Sequence, residues 1–138
     1  MNYWLLKSEP DSWSWEQQVK KGKKGEAWSG VRNHLAKRNL MSMKKGDLCF
    51  FYHSNIGKEI VGIVEVTKAP YHDPTAEKNE PWVVVDVVAV KPLKTPVSLA
   101  SVKAEKKLSK MSLVTSARLS VQPVTVGEWN MICKMGGV

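Results

Sequence analysis

Apolar residues in this chain fall in short blocks whose spacing switches between the period of a strand and that of a helix. Tyr3–Lys7 is a block too short for a helix and reads as a first strand, stopped by Pro10. Ser14 with Gln17 three residues on is a capping box, so a helix opens there and runs to about Gly22, with Gly25 in the loop behind it. Asn33 stands where the cap of a second helix, His34–Met41, is expected, with Leu35 and Leu40 toward the core. Gly46-Asp47 turns the chain into a strand, Leu48–His53, and the polar turn Asn55–Lys58 joins it to a second, Ile60–Lys68, as a hairpin. Ala69–Pro81, with Pro70, Pro74 and Pro81, reads as a long loop. The valine-rich stretch Trp82–Lys91 is the clearest strand, and Pro92 and Pro96 are expected to close it. Ser98–Lys107 suits a short helix, and Leu119–Gln122 a strand stopped by Pro123. Thr125 and Glu128 form a second capping box, with Val124 and Trp129 at staple positions, so a last helix runs from about Val126 to Lys134 and ends at Gly136-Gly137.

Helices mixed with hairpin-joined, mostly antiparallel strands define an α+β class rather than a doubly wound sheet. A small, strongly bent sheet or barrel flanked by helices fits this order. At 138 residues the chain is expected to be one domain with a self-sufficient core. The longest apolar run, Val83–Val90, is broken by Asp86 and far too short to span a bilayer, and the first residues lack the features of a signal peptide. Cys49 and Cys133 match no metal spacing and read as reduced thiols in a cytoplasmic protein.

Lysine and arginine number 21 against 13 acids, a net charge of +8, which directs attention to phosphate-bearing partners. The excess gathers at Lys20–Lys24 and Lys103–Lys110, with Lys37, Arg38, Lys44 and Lys45 between. A solvated surface would account for such runs equally well, but six tryptophans tilt the balance, since bases are held on aromatic faces.

The chemistry-bearing words are Trp28-Ser-Gly-Val-Arg-Asn33, Tyr52-His-Ser-Asn55 and Arg118-Leu-Ser-Val-Gln-Pro123. There is no phosphate-binding glycine loop, no Gly-x-Ser-x-Gly elbow and no His-Glu-x-x-His. His34, His53 and His72 have no metal-ligand spacing, and no metal or cofactor is expected. His53 and Ser54 are neighbours on a strand, so they point apart and make a poor catalytic dyad. A base pocket needs flat apolar surfaces and fixed polar atoms at the ring edge. Trp13, Trp28 and Tyr52 can stack, and Asn33 offers both a donor and an acceptor. His53, Ser54 and Ser120 can add single bonds, Lys7 and Ser8 can line the mouth, and Arg32 and Arg118 can fork onto phosphate or stack. Lys7, Arg32, Lys23, Lys24, Lys37 and Arg38 are the candidate phosphate contacts. Each residue alone has a plainer reading: Trp28 as core, Asn33 as a helix cap, Arg118 as half of an ion pair.

Taken with Tyr3-Trp-Leu-Leu-Lys-Ser-Glu-Pro10, Met43-Lys-Lys-Gly-Asp47 and Tyr71-His-Asp-Pro74, these words give the whole chain a resemblance to the EVE-domain family. The resemblance implies a PUA-like pseudo-barrel, related to the PUA, ASCH and YTH domains, and a pocket reading a modified nucleobase in DNA or RNA. Carried over by residue, that pocket is Ser8, Trp13, Trp28, Asn33, Tyr52, His53, Ser54, Arg118 and Ser120. The reading adopted is a binding module, not an enzyme. Animal members carry a basic N-terminal tail, whereas this chain starts at its first strand, so a stand-alone bacterial member is expected. The rival readings are a nucleotide-directed enzyme using His53 and an interaction module binding a small metabolite.

Overall fold

The computed structural model describes residues 1–138. Six strands, β1 (Tyr3–Ser8), β2 (Glu26–Ala27), β3 (Leu48–His53), β4 (Glu59–His72), β5 (Val83–Ser98) and β6 (Val121–Val124), form one sheet in the order β2-β5-β4-β3-β1-β6. Only β1 and β3 run parallel; every other neighbouring pair is antiparallel. Five helices flank it: α1 (Trp15–Lys20), α2 (His34–Ser42), α3 (Leu99–Ala104), α4 (Ser112–Thr115) and α5 (Val126–Met135).

Alternation along the central strands splits the core in two. Leu6, Cys49, Phe51, Val64 and Val85 point to one face, where Trp15 of α1, Trp28, and Ala36 and Leu40 of α2 cover them. Leu5, Phe50, Tyr52, Ile60 and Ile63 point to the other, under Val102 of α3, Leu113 of α4, and Trp129 and Ile132 of α5. Trp129 stacks on Phe50 with centroids 3.9 Å apart and on Tyr3 at 4.4 Å. With both faces covered, the central strands read as nearly continuous apolar runs rather than clean alternation.

Both capping boxes close as expected, Ser14 with Gln17 and Thr125 with Glu128. Asn33 caps α2 by accepting the Ala36 N–H at 2.9 Å. Leu35, expected in the core, is instead 51% exposed, because the helix turns the Ala36–Leu40 pair, four residues apart, onto the sheet.

The prolines mislead in one direction. β4 runs on to His72 through the expected loop, and β5 passes through Pro92 and Pro96 to Ser98. β2 covers β5 only at Asp86 and Val87, so the later part of β5 is an edge where a missing N–H breaks no ladder. Pro123 sits inside β6 for the same reason, since β6 pairs with β1 alone. Repeated register shifts between β4 and β5 are bulges, and they curl this long ribbon into the bent sheet. The helix expected over Ser98–Lys107 is shorter, ending at Ala104 before a 3₁₀ turn at Lys106–Leu108, while β2 and α4 carry no periodic signal.

Gly62 of β4 lies directly under the Trp15 indole, where a Cβ would fall 2.4–2.6 Å from three ring carbons. Gly62→Ala is therefore expected to push Trp15 off the sheet and lower stability by about 1–3 kcal/mol. A shifted urea midpoint with an altered near-ultraviolet spectrum checks this; an unchanged midpoint would show that the indole yields freely.

Candidate nucleobase site

At the C-terminal end of β1 the chain opens a cavity of about 360 Å³ lined by Lys7, Ser8, Glu9, Ser12, Trp13, Glu26, Ala27, Trp28 and Ser29. Trp13 is half-buried and Trp28 is 7% exposed, so the two indoles supply apolar wall while serine hydroxyls and two carboxylates supply edges. Such a volume sits at the low end of small-molecule sites.

Each indole is fixed from behind. Trp13 Nε1 donates to Gln18 Oε1 at 2.9 Å, and the fully buried Gln18 passes the bond on, its Nε2 donating to the Val87 carbonyl at 3.1 Å. The Ser8 hydroxyl donates to the Trp13 carbonyl at 2.6 Å, which ties the loop to the end of β1. Trp28 packs edge-on against Phe51, centroids 5.5 Å apart, and its backbone N–H donates to the Val85 carbonyl at 2.8 Å.

The loop after Trp28 is held by Asp73, a carboxylate with no exposed surface. Its Oδ2 accepts the Gly30 N–H and Arg32 Nη1, each at 3.0 Å, and its Oδ1 accepts the Thr75 N–H at 2.7 Å and hydroxyl at 2.6 Å. Burial alone would raise this pKa, but the bonds from Thr75, Gly30 and Arg32 outweigh it and hold Asp73 at about 2. Gly30 has a positive φ of 84°, which delivers its N–H to the carboxylate at little steric cost.

Of the pocket residues expected from the sequence, Ser8, Trp13 and Trp28 line this cavity, as does Lys7. The others stand elsewhere. Tyr52 faces the opposite core at 3% exposure, because strand alternation turns it away from Phe51. Asn33 is exposed and spends its carbonyl on capping α2. His53 Nε2 accepts the Trp15 N–H at 3.1 Å, satisfying the first turn of α1. Burial pushes the His53 pKa down, against weaker upward pulls from Glu16 and Glu59. Ser54 and Ser120 do not line the cavity but bond the end of β1 through their backbones: the Ser54 N–H donates to the Ser8 carbonyl at 2.9 Å, and the Ser120 carbonyl accepts the Lys7 N–H at 2.9 Å. Arg118 is exposed on the preceding turn, which buried Gln122 braces by donating to three carbonyls, those of Ser112, Ser116 and Leu119.

The candidate phosphate contacts divide likewise. Arg32 is committed to Asp73 and Thr75, and Lys7 Nζ to the Ala117 carbonyl at 2.7 Å. Lys23, Lys24 and Arg38 are exposed and Lys37 half-exposed. Lys23 and Lys24 stand in the turn leading to Glu26 of the cavity wall. Glu9, Ser12, Glu26 and Ser29 were not anticipated, nor were the braces Gln18 and Asp73. Glu9 and Asp73 lie inside conspicuous words, Ser8-Glu-Pro10 and Tyr71-His-Asp-Pro74, whereas Ser12 and Glu26 carry no signal in one sequence. No group of three histidine, cysteine or acidic residues is placed to hold a metal ion, and no helix is long and apolar enough to cross a membrane.

Comparison with known proteins adds a lineage to this geometry. The family model described as the EVE domain matches residues 2–135. The chain belongs to the EVE-domain family. Mouse thymocyte nuclear protein 1 is 34% identical over 97% of this chain and 73% of its own length. A crystal structure of a protein from Agrobacterium tumefaciens, 57% identical, superposes with a TM-score of 0.98 over 100% of this EVE domain and 94% of that chain. The human THYN1 protein, in a complex with DNA containing 5-methylcytosine, superposes at 0.91 with 31% identity, covering 100% of this chain and 99% of its own. The YTH domain of Zygosaccharomyces rouxii MRB1, solved with N6-methyladenosine RNA, shares the fold alone, at a TM-score of 0.60 and 18% identity over 98% of this chain and 86% of its own. The bent sheet of this EVE domain is thus PUA-like.

Asp73→Asn is expected to cost about 1–3 kcal/mol at pH 7, since an amide cannot accept all four donors. The carboxylate's contribution is whole above its ordinary pKa of 3.8 and disappears as pH falls toward about 2. Urea titrations of wild type at pH 7, 4 and 3 should show stability falling across that window, and the variant's smaller loss there checks the assignment.

Proposed function

We propose that this EVE domain is a nucleic-acid-binding module that takes a modified nucleobase into the cavity between Trp13 and Trp28. The observation that carries the reading is that cavity itself: two braced indoles and a polar rim, in a domain whose human relative was solved on DNA containing 5-methylcytosine. A base leaving its stack loses a few kcal/mol, least when the target is unpaired or mispaired. Stacking on an aromatic face returns about 1–3 kcal/mol per base. Single-stranded or locally opened targets therefore suit the site best. A methyl group buried against an apolar wall adds roughly 0.8 kcal/mol, so a methylated pyrimidine gains over its parent by a few-fold.

The braces give the geometry a preference between binding and catalysis. His53 is occupied at its Nε2 by a helix N–H, and neither it nor any other histidine lines the cavity. Recognition rather than turnover is therefore the reading the site supports. The two unpaired cysteines, Cys49 and Cys133, fit a reducing compartment such as the cytoplasm.

Single strands with one central 5-methylcytosine should bind wild type more tightly than unmodified strands. Trp13→Ala should erase that difference and keep the fold, because Trp13 is only half-buried. Fluorescence anisotropy checks both, and an unchanged methyl preference in this variant would refute the base site. Lys23→Glu combined with Lys24→Glu is expected to weaken modified and unmodified strands alike and to flatten the salt dependence by up to about 0.7 per lost contact. A full wild-type slope would assign both lysines to bare solvated surface.

A further inference from the structure

The base cavity ends at Ser8, and the sheet continues past it. Ser8 pairs with His53, His53 with Glu59 and Glu59 with Ser98, so the ends of β1, β3, β4 and β5 lie side by side along one rim. Three strand spacings place the far side of that rim about 15 Å from Ser8. There a second hollow of about 290 Å³ opens, lined by Gly57, Lys58, Ser98, Leu99, Ala100 and Lys103. The Leu99 N–H donates to the Lys58 carbonyl at 2.9 Å, which fastens the lysine-bearing turn to the start of α3. Asn55 and Lys58 hold positive φ values of 68° and 49°, so this turn has a specific shape rather than a generic one.

The ammonium groups of this hollow are free. The two ion pairs in the structure are Lys21–Glu26 and Arg32–Asp73, so neither Lys58 nor Lys103 has a carboxylate partner. Both are exposed, as are Lys106 and Lys107 just beyond. Glu105, at the far end of α3, accepts the Lys107 N–H at 3.3 Å, and Glu59, paired with Ser98 and lying beside Gly57 of the hollow, forms no ion pair with either lysine. The base cavity shows the opposite balance: it is lined by Glu9 and Glu26, and its one lysine, Lys7, is bonded to a carbonyl. A chain of phosphates would thus find no free ammonium in the lining of the base cavity and a concentration of unpaired lysines one rim-length away.

We infer that the Lys58–Lys103 hollow is a phosphodiester subsite, which receives the backbone of the strand whose base occupies the Trp13–Trp28 cavity. This rests on the proposed base site for its direction and adds a path across the rim, from Ser8 past Ser54 to α3. The strand crosses the ends of the four strands instead of following the sheet edge. Because the subsite lies about 15 Å from the base, a trinucleotide centred on the modified base falls short of it, whereas a strand of about twelve nucleotides reaches it.

The test uses Lys58→Glu with Lys103→Glu and two fluorescent probes, a trinucleotide and a strand of about twelve nucleotides, each with one central 5-methylcytosine. The variant is expected to lose roughly tenfold on the long strand, with its log–log salt slope shallower by about 1.4 for two contacts, and to bind the trinucleotide as wild type does. Equal losses on both probes would reduce the lysines to general attraction and overturn the subsite. So would no loss on either. An unmodified long strand and Trp13→Ala separate this from the base site: if neither the methyl group nor Trp13 matters, the base reading fails, while the salt slope of the long strand still reports on Lys58 and Lys103.

Discussion

A carboxylate removed from water must have its lone pairs filled, and Asp73 fills its own with donors drawn from two separate loops. Gly30 and Arg32 come from the loop that follows Trp28, and Thr75 from its own turn. An unpartnered buried charge is costly enough that these loops have no cheap alternative arrangement. Trp28 is thereby set at the cavity wall with its edge on Phe51. Much of the conspicuous Trp28–Asn33 word is explained by this clamp: Gly30 for the turn, Arg32 for the charge, Asn33 for the helix that follows.

The Trp13 side of the cavity obeys the same logic with a neutral group. Gln18 is fully buried on a short helix, and it joins the Trp13 indole to the backbone of β5. α1 in turn is seated by Trp15 over Gly62 and by His53 at its first N–H. The residues that line the cavity are therefore held by groups behind them, of which Gln18, Asp73, Trp15 and Phe51 are buried. Preorganisation of this kind reduces the entropy lost when a ligand is captured.

The architecture was legible where local chemistry decides it. Two capping boxes, the cap at Asn33 and the hairpin turn at Asn55–Lys58 all read directly from neighbouring residues. Where partners decide, the reading failed. Pro92, Pro96 and Pro123 stop a strand only if the missing N–H faces another strand, and which side is an edge depends on the distant β2 and β6. The lining of the cavity divides in the same way. Trp13 and Trp28 stood out as residue types, and Ser8 by its place at the end of a strand. Tyr52, His53 and Asn33 are equally suited to hold a base, but alternation and helix capping direct them elsewhere. Glu26 and Gln18 are ordinary residues made important by the strand and helix that carry them, and one sequence contains no sign of that.

The central claim is that a base enters between two particular indoles of the six in this chain. The indole N–H resonances of assigned, nitrogen-labelled protein test it most directly during titration with a short single strand carrying 5-methylcytosine. Trp13 and Trp28 should shift together and saturably, while Trp4, bonded to buried Asp47, and Trp129, stacked in the opposite core, stay in place. Shifts confined to other tryptophans, or spread evenly over all six, would contradict the account.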